Sequence, residues 1–159
     1  MAYEKLDVAT QGDRDVVFTR AFNASRELVF DCMTKPELVT RWLLGPPGWT
    51  MPVCEIDARV GGRYRYVWRN QEGRDMGMGG VFKEIVAPEK IVATELFDED
   101  WTGGETLTTS VLTQEAGRTI LTTTVVYANE AARQGALVTG MADGMEMSYA
   151  KLDDLLVTA

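Results

Sequence analysis

A chain of 159 residues with 45% hydrophobic and 25% charged residues has the size and balance of one globular domain with a real core. Its formal charge of −8 excludes a phosphate-binding surface, and with it nucleic acid as the main partner; no apolar run is long enough for membrane insertion. Histidine is absent, which removes the commonest general base and metal ligand together with Ser-His and Cys-His nucleophile systems.

Residues 1–14 are polar, lack a signal-peptide core and read as a flexible leader to a single domain at 15–159. Val16 to Phe22 has the alternation of a first strand, with Val16, Phe18 and Arg20 on one side. Ser25 is placed to cap a short helix carrying Leu28, Val29, Cys32 and Met33. Thr34-Lys35-Pro36-Glu37 has the form of a capping box for a second short helix, with Leu38, Val39 and Trp42 as its buried side. Gly45-Pro46-Pro47-Gly48 ends helical structure in a stiff loop.

From Met51 the period is two. Cys54, Ile56 and Ala58 alternate with Glu55, Asp57 and Arg59, and after Gly61-Gly62 Tyr64, Tyr66 and Trp68 alternate with arginines. Both apolar sets are even-numbered, so a two-residue turn would put them on opposite faces; the turn needs an extra residue or a bulge. That register is expected to set Asp57 across from Arg65. Strands follow at Met76 to Val86, Ile91 to Phe97, Thr106 to Thr113 and Thr119 to Tyr127, giving seven strands joined by sequential hairpins. The last stretch, Glu130 to Val157, reads as one amphipathic helix. Its apolar stripe is Leu137, Met141, Met145, Leu152 and Leu156; Asp143, Glu146, Ala150, Asp153 and Asp154 lie opposite. Gly140 and Gly144 fall near the stripe, and each costs about 1 kcal/mol against alanine in a helix interior, so a close neighbour or a cavity is expected beside them. The class is α+β: a seven-stranded antiparallel sheet wrapped around a long C-terminal helix, with two short helices after the first strand.

The chain resembles the START-like (SRPBCC) superfamily, in the branch related to the C-terminal domain of the heat-shock-protein-90 ATPase activator. The residues that carry this are Arg20-Ala21-Phe22-Asn23-Ala24-Ser25, Val29-Phe30, Pro36-Glu37-Leu38, Arg41-Trp42 with Gly45-Pro46, Glu55-Ile56-Asp57-Ala58-Arg59-Val60-Gly61-Gly62, Gly80-Val81-Phe82-Lys83-Glu84-Ile85 and Gly140-Met141-Ala142-Asp143-Gly144. Their order and spacing, over about residues 16–156, carry the resemblance rather than any one motif. One departure is Leu43-Leu44, where relatives often have a second tryptophan before Gly-Pro. The resemblance implies a helix-grip fold with a cavity between the sheet and the last helix. It does not imply one activity, because fold alone does not choose among lipid carriers, receptors, cyclases and chaperone regulators.

The candidate ligand-cavity residues are Trp42, Tyr64, Tyr66, Trp68, Met76, Met78, Phe82, Met141, Gly144 and Met145. Aromatic walls with polar tips and soft methionines suit an apolar, aromatic or lipid-like molecule; the bland alternative for each residue is core packing. Asp98, Glu99 and Asp100 form a solvated loop rather than a metal site, Cys32 and Cys54 make no metal motif or disulfide framework, and no cofactor is expected. The expected partner is a hydrophobic small molecule. Two further readings stand beside it: a chaperone-binding module, and an enzyme of cyclase or hydrolase type using Tyr64, Tyr66 or Glu95. A monomer or homodimer in a reducing, cytoplasmic setting completes the expectation.

Overall fold

Alternation of apolar and polar residues runs through most of the strands and gives the sheet one face that must be covered. The computed structural model describes residues 3–158; residues 1, 2 and 159, the ends of the expected leader and domain, lie outside the described residues. The strands are β1 (Asp7–Gln11), β2 (Asp15–Phe22), β3 (Thr50–Ile56), β4 (Arg63–Arg69), β5 (Asp75–Val86), β6 (Lys90–Phe97), β7 (Thr106–Glu115) and β8 (Arg118–Val126). They form one antiparallel sheet in the order β1-β2-β8-β7-β6-β5-β4-β3. The helices are α1 (Arg26–Thr34), α2 (Pro36–Val39), α3 (Glu130–Leu137) and α4 (Met141–Thr158). No described helix is long and apolar enough to cross a membrane.

The α+β class and the antiparallel sheet agree with the sequence expectation, but there are eight strands rather than seven. The additional one, β1, lies in the stretch expected to be a flexible leader. All five of its residues are exposed, so it has no apolar alternation to detect. It is held instead by the backbone ladder to β2, from Asp7 opposite Thr19 to Gln11 opposite Asp15.

Four further expectations are corrected. Thr34 does not cap the second helix: it ends α1 and donates to the Phe30 carbonyl at 2.9 Å, and Lys35 serves both helices as the boundary residue without a side-chain cap. The Ser25 cap of α1 is present, accepting from the Leu28 N–H at 3.3 Å. In the β3–β4 hairpin Ile56 opposes Tyr64 and Cys54 opposes Tyr66, so even positions do face even positions. The loop is longer than a bulged turn, however, and Ala58 lies outside β3. Glu55, not Asp57, stands opposite Arg65; Asp57 pairs with Arg59 at 2.9 Å and Arg65 with Asp98 at 2.6 Å.

The late helix is two helices. Gly140 has φ +81°, a left-handed conformation that glycine adopts without penalty, and no atom would meet a Cβ there within 4 Å. The chain bends at Gly140 because of its backbone conformation and not because a neighbour crowds it. Glu146 and Asp153, which the single-helix wheel put on the solvent side, flank the apolar stripe beside Tyr149 and from there hold Arg20.

Arg20 is 2% exposed and projects from β2 toward α4. Its Nε and Nη2 donate to the two Glu146 oxygens at 3.0 Å each. Nη1 and Nη2 donate to Asp153 at 3.2 and 2.9 Å. The guanidinium also lies 5.1 Å from the centre of the Phe22 ring. The Leu6 N–H donates to Glu146 Oε1 at 2.8 Å, which ties the start of the chain to the same cluster. Burial works upward on the Glu146 carboxyl, but hydrogen bonds from Arg20 and Leu6 outweigh it and hold the group below its usual range. Beside the clamp, Phe22 meets Tyr149 edge-on at 5.4 Å, and Leu152, Leu155 and Leu156 fill the core against Leu112 and Leu121.

Replacing Arg20 with methionine leaves two partly exposed carboxylates without their cation and is expected to cost about 1–3 kcal/mol in urea unfolding. The same change at the exposed Arg65, paired with Asp98, is expected to cost less than about 1 kcal/mol. Because the folded-state Glu146 carboxyl is depressed, its contribution is complete above the ordinary carboxylate range and is lost as pH falls through the folded-state value. An acid titration of stability in which the Arg20 variant loses as much as the parent would count against this assignment.

Candidate functional site

The inner face of the sheet is covered along its whole width. Phe18, Phe22, Leu112 and Val29 are sealed, and Phe30, Ile120, Tyr64, Tyr66, Trp68 and Ile91 each keep 8–9% exposure. Along α4, Ser148, Tyr149, Leu152, Leu155 and Leu156 are buried, whereas Met141, Gly144 and Met145 near its start are only partly covered.

The inner residues of β4–β6 and the loop before β3 are each placed by a local cause. Tyr64, Tyr66 and Trp68 point inward together because they alternate on β4, and their rings contact in series at 5.1 and 5.7 Å. Gly80 stands opposite Tyr64, where the ring lies over it; a Cβ would collide with the Thr94 carbonyl and the Tyr64 ring. The Tyr64 hydroxyl donates to the Thr94 carbonyl at 2.6 Å, which fixes the ring. Trp68 donates through Nε1 to the Leu43 carbonyl at 2.7 Å. The following loop is tied to α4, with the Gly45 N–H donating to Ser148 Oγ at 2.8 Å and Lys151 Nζ to the Gly45 carbonyl at 3.2 Å. Pro46 thereby faces Gly144, where an added Cβ would meet only Pro46 Cδ at 3.9 Å, an ordinary contact.

The expected cavity residues are not all in one place. Tyr64, Tyr66, Trp68, Met78 and Phe82 belong to the main core cluster, with Met76 and Met145 packed at its margin. Met141 packs with the second cluster, under α3, where it accepts the Tyr127 hydroxyl hydrogen bond at an Sδ distance of 3.6 Å. Trp42 is 4% exposed, stacked on Tyr149 at 5.8 Å and donating through Nε1 to the Cys32 carbonyl at 2.8 Å.

Ile91 and Ala93 on β6 face the core, and the same parity turns Glu95 toward that face, opposite Thr106 of β7. Glu95 is half-buried, and its carboxyl makes no hydrogen bond among the described residues; Thr106 Oγ1 reaches only its backbone carbonyl, at 3.4 Å. Burial pushes the Glu95 carboxyl up to about 7. Burial first, and the charge of Glu95 after it, push up the phenol of Tyr64. Tyr127 rises from the same two causes to about 12. These phenols are neutral at physiological pH. Phe97, two residues on, contacts the Trp101 ring at 4.7 Å, and the buried Trp101 Nε1–H has no partner among the described residues.

An open groove of about 770 Å³ crosses β3–β6 over Gly79, Val81 and Leu96, with Tyr64, Glu55 and Glu105 also in its lining. The exposed Arg65–Asp98 pair stands in it and satisfies both charges. No group of three or more metal-ligating side chains occurs among the described residues.

Comparison with known proteins agrees with this architecture. Residues 23–157 match the model of the family described as Activator of Hsp90 ATPase homolog 1-like protein. The chain belongs to this family. Among solved structures, a Rhodobacter sphaeroides protein is 34% identical with a TM-score of 0.93, over 98% of this chain and 99% of that one. A Staphylococcus epidermidis protein is 26% identical with a TM-score of 0.81, over 94% and 93%. An AHSA1-like protein from Aeromonas hydrophila, 20% identical with a TM-score of 0.62 over 83% and 90%, shares the fold. No curated protein matches the sequence. Membership of the Activator of Hsp90 ATPase homolog 1-like family accords with the START-like resemblance read from the sequence.

The position of Glu95 has a thermodynamic signature. With the folded-state carboxyl raised to about 7 and the unfolded one near its ordinary value of about 4.3, the folded state holds a proton the unfolded state has lost between those values. Stability contributed by this group therefore falls as pH rises through that window and is level above it. Glu95→Gln is expected to match the parent near pH 4 and to exceed it by on the order of 3 kcal/mol at pH 8. Parallel stability curves for the two proteins would show that Glu95 is solvated or paired.

Proposed function

We propose that this protein is a START-like binding module that takes a small apolar or aromatic molecule between β4–β6 and the first turns of α4. The observation that carries this reading is that Tyr64, Tyr66 and Trp68 set a continuous aromatic wall on the inner face of β4, while Met141, Gly144 and Met145 at the start of α4 stay only partly covered. Gly144 supports it, because a side chain would fit at the helix surface and add helix propensity, yet the position is left without one. The pocket is formed by Tyr64, Tyr66, Trp68, Met76, Met78 and Phe82 on the sheet and by Gly144 and Met145 on α4. Met141 stands at its α3 end, and Trp42 supports it from behind Tyr149.

Gly144→Leu tests the reading. Leucine gains about 1 kcal/mol of helix propensity, and overpacking would cost about 1–3 kcal/mol. The variant is expected to keep the parent's melting temperature or exceed it and to lose binding of Nile red, an uncharged apolar dye. A strongly destabilised variant, together with a parent that binds no dye, would leave only a packed core. Recovery of a chaperone, with no small molecule, from native mass spectrometry of protein purified from its own host would favour the protein-interaction alternative.

A further inference from the structure

We infer that the outer face of the sheet, from β6 across β7 and β8 to β2, is a self-association surface on which a second copy of this chain docks, sheet against sheet. The register decides which side chains share that face. Leu107 of β7 stands between Thr94 of β6 and Val126 of β8, and Thr109 between Val92 and Thr124. Val111 stands between Lys90 and Thr122. Thr124 and Thr122 stand opposite Val17 and Thr19 of β2. These positions alternate with Ile91, Ala93, Leu112, Leu121 and Val125, which are buried in the core, so they point away from it. At the β5 side, Leu96 lies opposite Gly79 and Val86 opposite Lys90. Val86, Leu96, Leu107 and Val111 on this one face are each 38–46% exposed. Neighbouring apolar side chains at that exposure form a patch and not a scatter of single residues.

Charge says what covers it. A quarter of the chain is charged, yet the band from Val92 and Leu96 to Val17 and Thr19 holds no charged side chain. Charges stand at its margins: Glu84 with Lys90 at 3.4 Å, Arg65 with Asp98, and Asp15 beyond Val126. A chain of net charge −8 repels its own copies over most of its surface, and the neutral band lets two copies meet without opposing carboxylates. The band is also complementary to itself. A threonine hydroxyl both donates and accepts, so Thr109, Thr122 and Thr124 of one copy can satisfy those of the other, and the valine and leucine methyls meet their like. A partner docking through charged side chains would find no counter-charge there, and an anionic membrane would repel the chain. Sheets stacked this way lie about 10 Å apart and leave α4 on the outside of each copy. The surface is therefore separate from the proposed pocket and does not depend on it.

Five strands at about 4.8 Å spacing, over about 20 Å of their length, offer roughly 500 Å² per copy and about 1,000 Å² for the pair. That is the lower limit for a specific interface, so the dimer is reversible, with a dissociation constant on the order of 10–100 μM. Sedimentation equilibrium of the full chain from about 5 to about 500 μM tests this, a range set to bracket that constant. The mean mass is expected to rise from monomer toward dimer, and to do so at lower concentration in about 0.5 M salt, where the net charge is screened. Thr109→Lys, at the centre of the band, and Leu107→Lys are each expected to weaken association at least about tenfold, with the melting temperature retained. Met147→Lys, at an exposed position on α4, is expected to change nothing. A monomer throughout the range overturns the proposal. So does a dimer that salt weakens, one that survives both band substitutions, or one that Met147→Lys disrupts equally. If the pure chain stays monomeric while a different protein, bound on purification from its own host, is lost in Thr109→Lys, the band belongs to that partner and the self-association reading fails.

Discussion

One guanidinium fixes the relation between the sheet and the last helix. Arg20 is almost wholly buried and spends its donors on two carboxylates seven positions apart in the sequence, Glu146 and Asp153. Seven residues are close to two helical turns, so both carboxylates come from one side of α4. A buried charge with one partner removed is far more costly than the intact pair is stabilising. The consequence is directional: sliding α4 by one turn, or rotating it, would strand Arg20. The clamp thus specifies where α4 lies, while apolar burial around Leu152, Leu155 and Leu156 supplies the adhesion.

The clamp grips α4 in its second turn through Glu146 and in its fourth through Asp153, so the helix is anchored along most of its length. Gly140 separates it from α3, and the Gly45–Pro46 loop props it from the side through Ser148 and Lys151. Met145, one residue before Glu146, packs against both core clusters and joins them.

Much of this was legible from residue pattern. The parity of the β3–β4 hairpin follows from even-numbered apolar residues on both arms, and Tyr64, Tyr66 and Trp68 do share the inner face. Parity also reaches Glu95, because Ile91 and Ala93 precede it on the same side; the sequence places it inward but says nothing of its missing partner, which depends on four elements converging. Three features left no local trace. β1 has only exposed side chains, so its pairing is a backbone matter. Gly140 breaks the helix by a dihedral angle that the apolar periodicity does not register. Glu146 and Asp153 flank the stripe as carboxylates that read as solvent-facing, and only the buried Arg20, 126 and 133 residues earlier, shows otherwise.

The anchoring of α4 bears on how such a domain diverges. The Rhodobacter sphaeroides protein retains nearly the whole fold at 34% identity, so most positions tolerate exchange provided pattern and anchoring survive. Arg20, Glu146 and Asp153 constrain one another, because an exchange at one leaves charge at the others unmatched. Positions outside that clamp and the seam of Leu152, Leu155 and Leu156 answer to apolar pattern and volume, which several side chains satisfy.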